Sequence, residues 1–292
     1  MANMNKTGKG FLTLVQDNET TDYLKLAYAQ ALSIKTSQTT VKSYAVVADK
    51  ATIGSMTDQH REVFDHIIEL PVDLAANESW KLSNEWQLFR LTPYYETLKV
   101  ESDLLFTTDI HHWWPVMQKH EVLMSSKIYD YEGNVSDCRA YRQLFDDNDL
   151  PDVYTGLMYF RYSQTAADLF GLAEHIYANW DMFRNEILTR CIDEQPTTDV
   201  VFAIAAKIIG EHLCTNPGLS YPAFVHMKGA VNGYGVNADW TEKLYAQFND
   251  HGNLTIGFRR QTFPVHYFQK HFINDDVILT LKECYERTRS ST

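Results

Sequence analysis

Glu101-Ser102-Asp103 interrupts a run that is otherwise apolar or β-branched: Thr97, Leu98, Val100, Leu104, Leu105 and Phe106. In an extended strand, residues two apart point to the same side, so both carboxylates are expected to face one way and Ser102 the other. Two hard oxygen ligands suit magnesium or manganese, and such an ion would neutralise a diphosphate. Taken alone, the pattern also describes a strand edge whose charges face water, because three-residue motifs recur by chance. Asp109-Ile110-His111-His112 is a second group with carboxylate and imidazole at ligand spacing. Trp113-Trp114-Pro115 follows at once, and a loop packing two indoles would fix the histidines in any case, so a contact with substrate is the reading taken. His266, beside Tyr267 and Phe268, reads as a packed or hydrogen-bonded histidine. Arg139 and Arg142 lie upstream of the apolar run 153–162, and either help bind a diphosphate or stand as surface arginines.

The elements that must position these groups follow from periodicity. Phe11-Leu12-Thr13-Leu14-Val15 reads as a buried strand, and Tyr23, Leu26, Ala27, Ala31 and Ile34 recur at helical spacing after it. Further apolar runs occur at 44–48 and 66–70, the latter stopped by Pro71. Strands alternating with helices imply a mainly parallel sheet covered on both faces. Residues 86–91 read as a helix ending before Thr92-Pro93. Residues 97–106 and 153–162 read as strands. Helices are expected from Ser163, a plausible N-cap, to Asn179, then over 182–191 and 199–214. Residues 215–240 are rich in Gly, Pro and Asn and read as functional loops. Where a parallel sheet ends, its carboxyl edge is the usual ligand crevice, and Glu101 and Asp103 fall near such an edge.

The 292 residues, 45% hydrophobic and 22% charged, suffice for one large core. A formal charge of −12 opposes non-specific attraction to phosphate backbones, so any nucleic-acid contact must be local. Arg259-Arg260 with His266-Tyr267 and Lys270-His271 mixes basic and aromatic residues as such a contact would, although a strand pair with a solvated face is the preferred reading. Cys138, Cys191, Cys214 and Cys284 form no CxxC, which fits a reducing compartment. Met1 to Gly10 is polar, the run 11–15 is too short for a signal peptide, and no apolar stretch approaches the roughly 20 residues of a membrane span. A cytoplasmic protein without membrane contact is expected. Gly8-Lys9-Gly10 precedes the first strand, where a dinucleotide fingerprint would follow it. No P-loop, G-x-S-x-G or H-E-x-x-H occurs, so dehydrogenase, P-loop kinase, serine hydrolase and zincin readings lack support.

Four segments carry a resemblance. Leu91-Thr92-Pro93-Tyr94 through Glu101-Ser102-Asp103 to Phe106 resembles, without a gap, the L-T-x-Y to D-x-D segment of the glycogenin and lipopolysaccharide galactosyltransferase family. Asp152-Val153-Tyr154-Thr155-Gly156 resembles the family's donor-sugar strand, Thr198-Asp199 its D-Q position at a helix start, and Phe224-Val225-His226-Met227-Lys228-Gly229 its late H-x-x-G segment. The resemblance spans residues 10–230 and implies a GT-A fold, a mixed and mainly parallel sheet flanked by helices. One catalytic domain over 1–250 is expected, with 251–292 packed on it as an extension. The resemblance further implies a UDP-sugar donor and a divalent metal, manganese or magnesium. Asp103 and His226 would ligate the metal, with Glu101 reaching the metal or the donor ribose. Ser102, Thr155, Gly156, Lys228 and Gly229 would border the donor, and Asp199 would contact sugar hydroxyls or the reacting centre. The wording around Asp109-Ile110-His111-His112-Trp113-Trp114 and Gln261-Thr262-Phe263-Pro264-Val265-His266-Tyr267 is similar to glycosyltransferases of large tailed bacteriophages, some linked to transfer of sugars, arabinose included, onto hydroxylated cytosines of DNA. Departures from the pattern are Glu101 for the first aspartate, Glu85 where many members carry a donor-binding lysine, and Val200 after Asp199. They leave open a glycan or protein acceptor, or a module that binds a nucleotide-sugar without turnover.

Overall fold

The computed structural model of the chain describes residues 6–76, 78 and 80–290; Met1 to Asn5, read above as polar, lie outside the described residues. Its regular structure starts with the strands β1 (Lys9–Val15), β2 (Tyr44–Ala48) and β3 (His66–Glu69), separated by helix α1 (Tyr23–Ser37) and two short helices. β1 pairs in parallel with β2 and with β4 (Glu96–Val100), and β2 with β3. β8 (Tyr154–Arg161) then runs antiparallel between β4 and β6 (Val122–Ser125). The order β3-β2-β1-β4-β8-β6 makes a mixed, mainly parallel sheet. Successive residues bury on opposite faces, as a strand's period of two requires. Phe11, Val46 and Leu98 pack with α1 on one side. Leu12, Ala45, Val47 and Met158 pack on the other against α2 (Gln164–Ala178) and α3 (Thr198–Ile209). Asp22 caps α1 and Ser163 caps α2, each accepting a backbone N–H with its side chain.

The strand expected over 97–106 is two strands separated by a turn. β4 ends at Val100, the Glu101 N–H donates to Gly156 O at 2.9 Å, and the Leu104 N–H returns to Glu101 O at 3.2 Å. β5 (Leu104–Leu105) leaves the first sheet and joins a second, ordered β5-β13-β9-β7, with β7 (Lys127–Tyr129), β9 (Ala223–His226) and β13 (Val265–His266). Two carboxylates have no counterpart inside a ladder buried on both faces, so the chain turns where they fall. Helix boundaries also differ. The helix expected over 182–191 begins at Trp180 and ends in a π-type turn at Ile187, and α3 stops at Ile209 because Gly210 takes φ 112°.

The last stretch is woven into the same body. β10 (Ala246–Phe248), β11 (Leu254–Ile256) and β12 (Arg259–Arg260) form a small antiparallel sheet, β13 lies between β5 and β9, and α4 (Asp275–Ser290) packs along α1. Residue 250, expected as a domain edge, falls in the β10–β11 hairpin. Among the described residues, no helix is long and apolar enough to cross a membrane.

Candidate active site

The Glu101–Leu104 turn is held from below by α1. The buried Gln30 amide donates to Glu101 O at 2.6 Å and to Leu104 O at 2.7 Å, while its own oxygen accepts from Tyr44 Oη at 2.7 Å. One amide from α1 thus fixes the carbonyls on both sides of Asp103, and Ser33 Oγ accepts from the Phe106 N–H at 3.0 Å. Nothing in the helical spacing of α1 marks Gln30 as special. Its role is visible only once the turn lies over it.

Register brings two distant histidines together. β9 and β13 are parallel neighbours with His226 opposite His266, and β13 pairs antiparallel with β5 so that His266 faces Leu104. Partners on adjacent strands point to one face. The imidazoles stack 4.6 Å apart at 3°, with their Nδ1 atoms 2.8 Å apart. His266 Nε2 reaches Asp103 Oδ2 at 2.7 Å and Glu101 Oε2 at 3.6 Å. Ligand atoms of Glu101, Asp103 and His266 all lie within 4.8 Å of one another, the one such group among the described residues. The imidazole beside the carboxylates is therefore His266, expected to be merely packed, whereas His226, the expected ligand, stands behind it. Spacing in sequence carried no sign of this, because the pairing spans 40 residues and depends on strand register.

The charges are strongly coupled. Burial works against the Asp103 anion, but His266 and Lys270 outweigh it and hold the carboxyl far below the usual carboxylate range. Burial, with Asp103 and Asp199 adding repulsion, raises Glu101 despite Lys99 and His266. His226 is driven well below its ordinary value by burial and by the neighbouring His266, which favours its neutral form. The His266–His226 contact through Nδ1 would orient the His266 ring, the outer-sphere support common for metal-binding imidazoles.

Two cavities meet over this cluster. One of about 440 Å³ is walled by Gln16, Asn18, Tyr23, Trp80 and Leu82 and floored by Glu101, Ser102, Asp103, His266 and Lys270. The other, of about 250 Å³, shares Glu101, His266 and Leu82 and is closed by Tyr141, Arg142, Tyr154, Gly156, Asp199, His226 and Lys228. Wider hollows lie elsewhere along α4, but they lack a comparable carboxylate–imidazole cluster. Asp199, near the start of α3, accepts from the Thr155 N–H and Oγ1, both at 2.7 Å, and from Arg142 at 3.0 Å. Gly156 leaves room for Glu101, since a Cβ there would lie 3.2 Å from its carboxylate. Lys228 stands over the Tyr141 ring at 4.1 Å, half-buried, and burial lowers its ammonium.

The two arginines, read either as diphosphate contacts or as surface charges, are both paired within the protein. Arg139 pairs with Asp146 and Asp152 on the surface and lines neither cavity. Arg142 is buried, bonded to Asp152, Asp199 and Val153 O, so its charge organises the protein and is not open to a ligand. The neighbouring aspartates claim both guanidinium groups. His111 and His112 are exposed, away from the cavities; His111 bonds Asp109 at 2.9 Å, and the Trp113 indole stacks on Tyr221. Glu85, found where a donor lysine was expected, is buried against Lys99 at 3.0 Å.

Gly229, directly after Lys228, admits no side chain: a Cβ would fall 2.3 Å from Gly235 O and 2.8 Å from Ala238 O. Gly229→Ala is expected to lose about 1–3 kcal/mol of stability by overpacking, read as a lower urea midpoint with unchanged slope.

No protein-family profile matches the chain, and no curated protein sequence matches it. Solved structures similar to it include the WbbM bifunctional glycosyltransferase in its apo form, at 14% identity and TM-score 0.45, covering 76% of this chain and 40% of that one. Mouse xyloside xylosyltransferase 1 is similar at 12% identity and TM-score 0.43 over 72% and 84% of the two chains. GlyE of Streptococcus pneumoniae is similar at 8% identity and TM-score 0.44 over 73% and 46%. The chain thus spans less than half the length of the first and third of these proteins.

Proposed function

We propose that the chain is a GT-A glycosyltransferase that moves a sugar from a nucleoside diphosphate, UDP, to an acceptor with the help of a divalent metal ion. The observation that carries the reading is the convergence of Glu101, Asp103 and His266 where two cavities join. Two carboxylate oxygens and one imidazole nitrogen, all on buried or half-buried side chains, fit manganese or magnesium. Glu101, Asp103 and His266 would hold the ion. Bound there, it supplies Lewis-acid stabilisation of the charge that grows on a leaving diphosphate. The larger cavity, with Tyr23 and Trp80 as apolar walls and Gln16 and Asn18 as amide groups, suits the nucleoside. The smaller one suits the sugar: Asp199 is locked by Thr155 and Arg142 to face it, Gly156 keeps its floor open, and Lys228 adds a cation to its wall.

For the acceptor, the similarity to bacteriophage glycosyltransferases favours a hydroxylated cytosine in DNA, with arabinose as the sugar, and a site of action in the cytoplasm of the host. The four cysteines are unpaired, as a reducing compartment requires. The test is to incubate the protein with a panel of UDP-sugars and manganese, with and without DNA containing hydroxymethylcytosine, and to analyse the DNA by mass spectrometry. The expected result is a mass gain of one sugar residue per modified base with one donor. UDP release without a gain on DNA would point to a glycan or protein acceptor, and nucleotide binding with neither would point to a non-catalytic module.

A further inference from the structure

Asp103 Oδ2 is occupied twice over, by His266 Nε2 at 2.7 Å and by an ion pair with Lys270 Nζ. This carboxylate belongs to the group of three ligands that a cation would need. The two occupants differ in what they can do. Asp103 is 4% exposed and sits in a turn clamped by Gln30, and His266 is fixed by its strand and by His226. Lys270 lies just beyond β13, at the start of a short 3-10 turn, and its side chain is 33% exposed and lines the larger cavity. Four methylenes let that ammonium move without the backbone moving. Besides Asp103, the groups acting on it are the Glu101 carboxylate, the Tyr23 phenol and the Phe268 ring, 5.8 Å from its Nζ.

A fixed anion shared by a mobile cation and an incoming cation is an exchange site. We propose that Lys270 makes metal binding conditional on the donor: its ammonium holds Asp103 while the cavity lacks a diphosphate, and releases it when the diphosphate offers another anion. This inference rests on the nucleotide-sugar reading above. Without a diphosphate, a metal ion must displace the ammonium and leave it beside a second cation in a half-buried cavity, where such repulsion is weakly screened. With a diphosphate present, both cations have a partner. The two ligands therefore bind cooperatively, each strengthening the other by one and the same factor. The arrangement also keeps the empty site compact, with Asp103 never left as an unpaired buried anion.

The test is manganese binding followed by electron paramagnetic resonance, with and without UDP, in the native protein, in Lys270→Met and in Lys270→Gln. Native protein is expected to bind manganese at least about tenfold more tightly with UDP than without it, in the range of ordinary coupling energies. Both variants should bind manganese more tightly than native protein when UDP is absent, because the competing charge is gone, and the gain from adding UDP should shrink. Thermal melting of the variants establishes that they are folded, and Lys270→Gln retains a hydrogen-bond donor to Asp103 while lacking the charge. Variants that bind manganese no more tightly than native protein without UDP would overturn the proposal. So would native binding that is equal with and without UDP. Absence of both manganese and UDP binding, even together, would instead remove the reading on which the proposal stands.

Discussion

Lys99→Met is expected to lower the free energy of unfolding by about 3–5 kcal/mol, the usual result of stripping one partner from a buried ion pair. Lys99 on β4 has no exposed surface, and its ammonium meets Glu85 at 3.0 Å and Thr155 O at 3.0 Å. Burial opposes its charge, yet Glu85 and Glu101 together raise it above its ordinary value. Removing it leaves the Glu85 carboxylate buried without a counter-ion and removes a cation that offsets Glu101. Replacing the whole pair, as in Lys99→Met with Glu85→Leu, should recover most of the loss, because an apolar pair of similar volume avoids the desolvation cost. Urea unfolding of the three proteins checks this, and a single variant as stable as the native chain would show that the pair is not what holds the sheet edge beneath the site. Glu85, at the position where the resemblance leads to a lysine, is the buried counter-ion of Lys99.

Asp103→Ala is expected to abolish manganese binding and to cut sugar transfer by at least about a hundredfold, the order lost when one preorganised charge-stabilising group is removed. Among the described residues Asp103 is the side chain bonded to both His266 and Lys270, so its loss separates the imidazole from the ammonium and leaves Glu101 as the remaining carboxylate of the cluster. Glu101→Gln should be milder: Glu101 is raised toward its neutral form by burial and sits 3.6 Å from the imidazole. Metal binding by resonance and product formation by mass spectrometry should change together in Asp103→Ala. A variant that keeps full turnover would remove Asp103 from the site.

Much of this was legible in the sequence because it depends on local pattern. Apolar runs at 11–15 and 44–48 fall in β1 and β2, buried on both faces of the parallel sheet, and the run at 66–70 covers β3, the half-exposed edge strand. Gly156 and Asp199 line the smaller cavity, and Thr155 is tied to Asp199 by two hydrogen bonds. What was not legible depends on tertiary register or on competition for partners. The turn at Glu101–Leu104 hid inside a strand-like run because its cause, the Gln30 clamp, is 71 residues upstream. That His266, with His226 behind it, stands beside the carboxylates depends on the parallel pairing of β9 with β13, which makes the two histidines neighbours. Arg139 looked available for an anion, and local aspartates took it. Lys270 stood out only as one of the basic residues among aromatics near the end of the chain, and nothing in that pattern tied it to Asp103.

Release of UDP from UDP-sugars, followed in manganese and in chelator without acceptor, tests the central claim most directly. The account predicts slow UDP release with one preferred donor in manganese, loss of it in chelator and loss of it in Asp103→Ala. Release that persists undiminished in chelator and in Asp103→Ala, or no release from any donor by a protein that binds UDP, would contradict it.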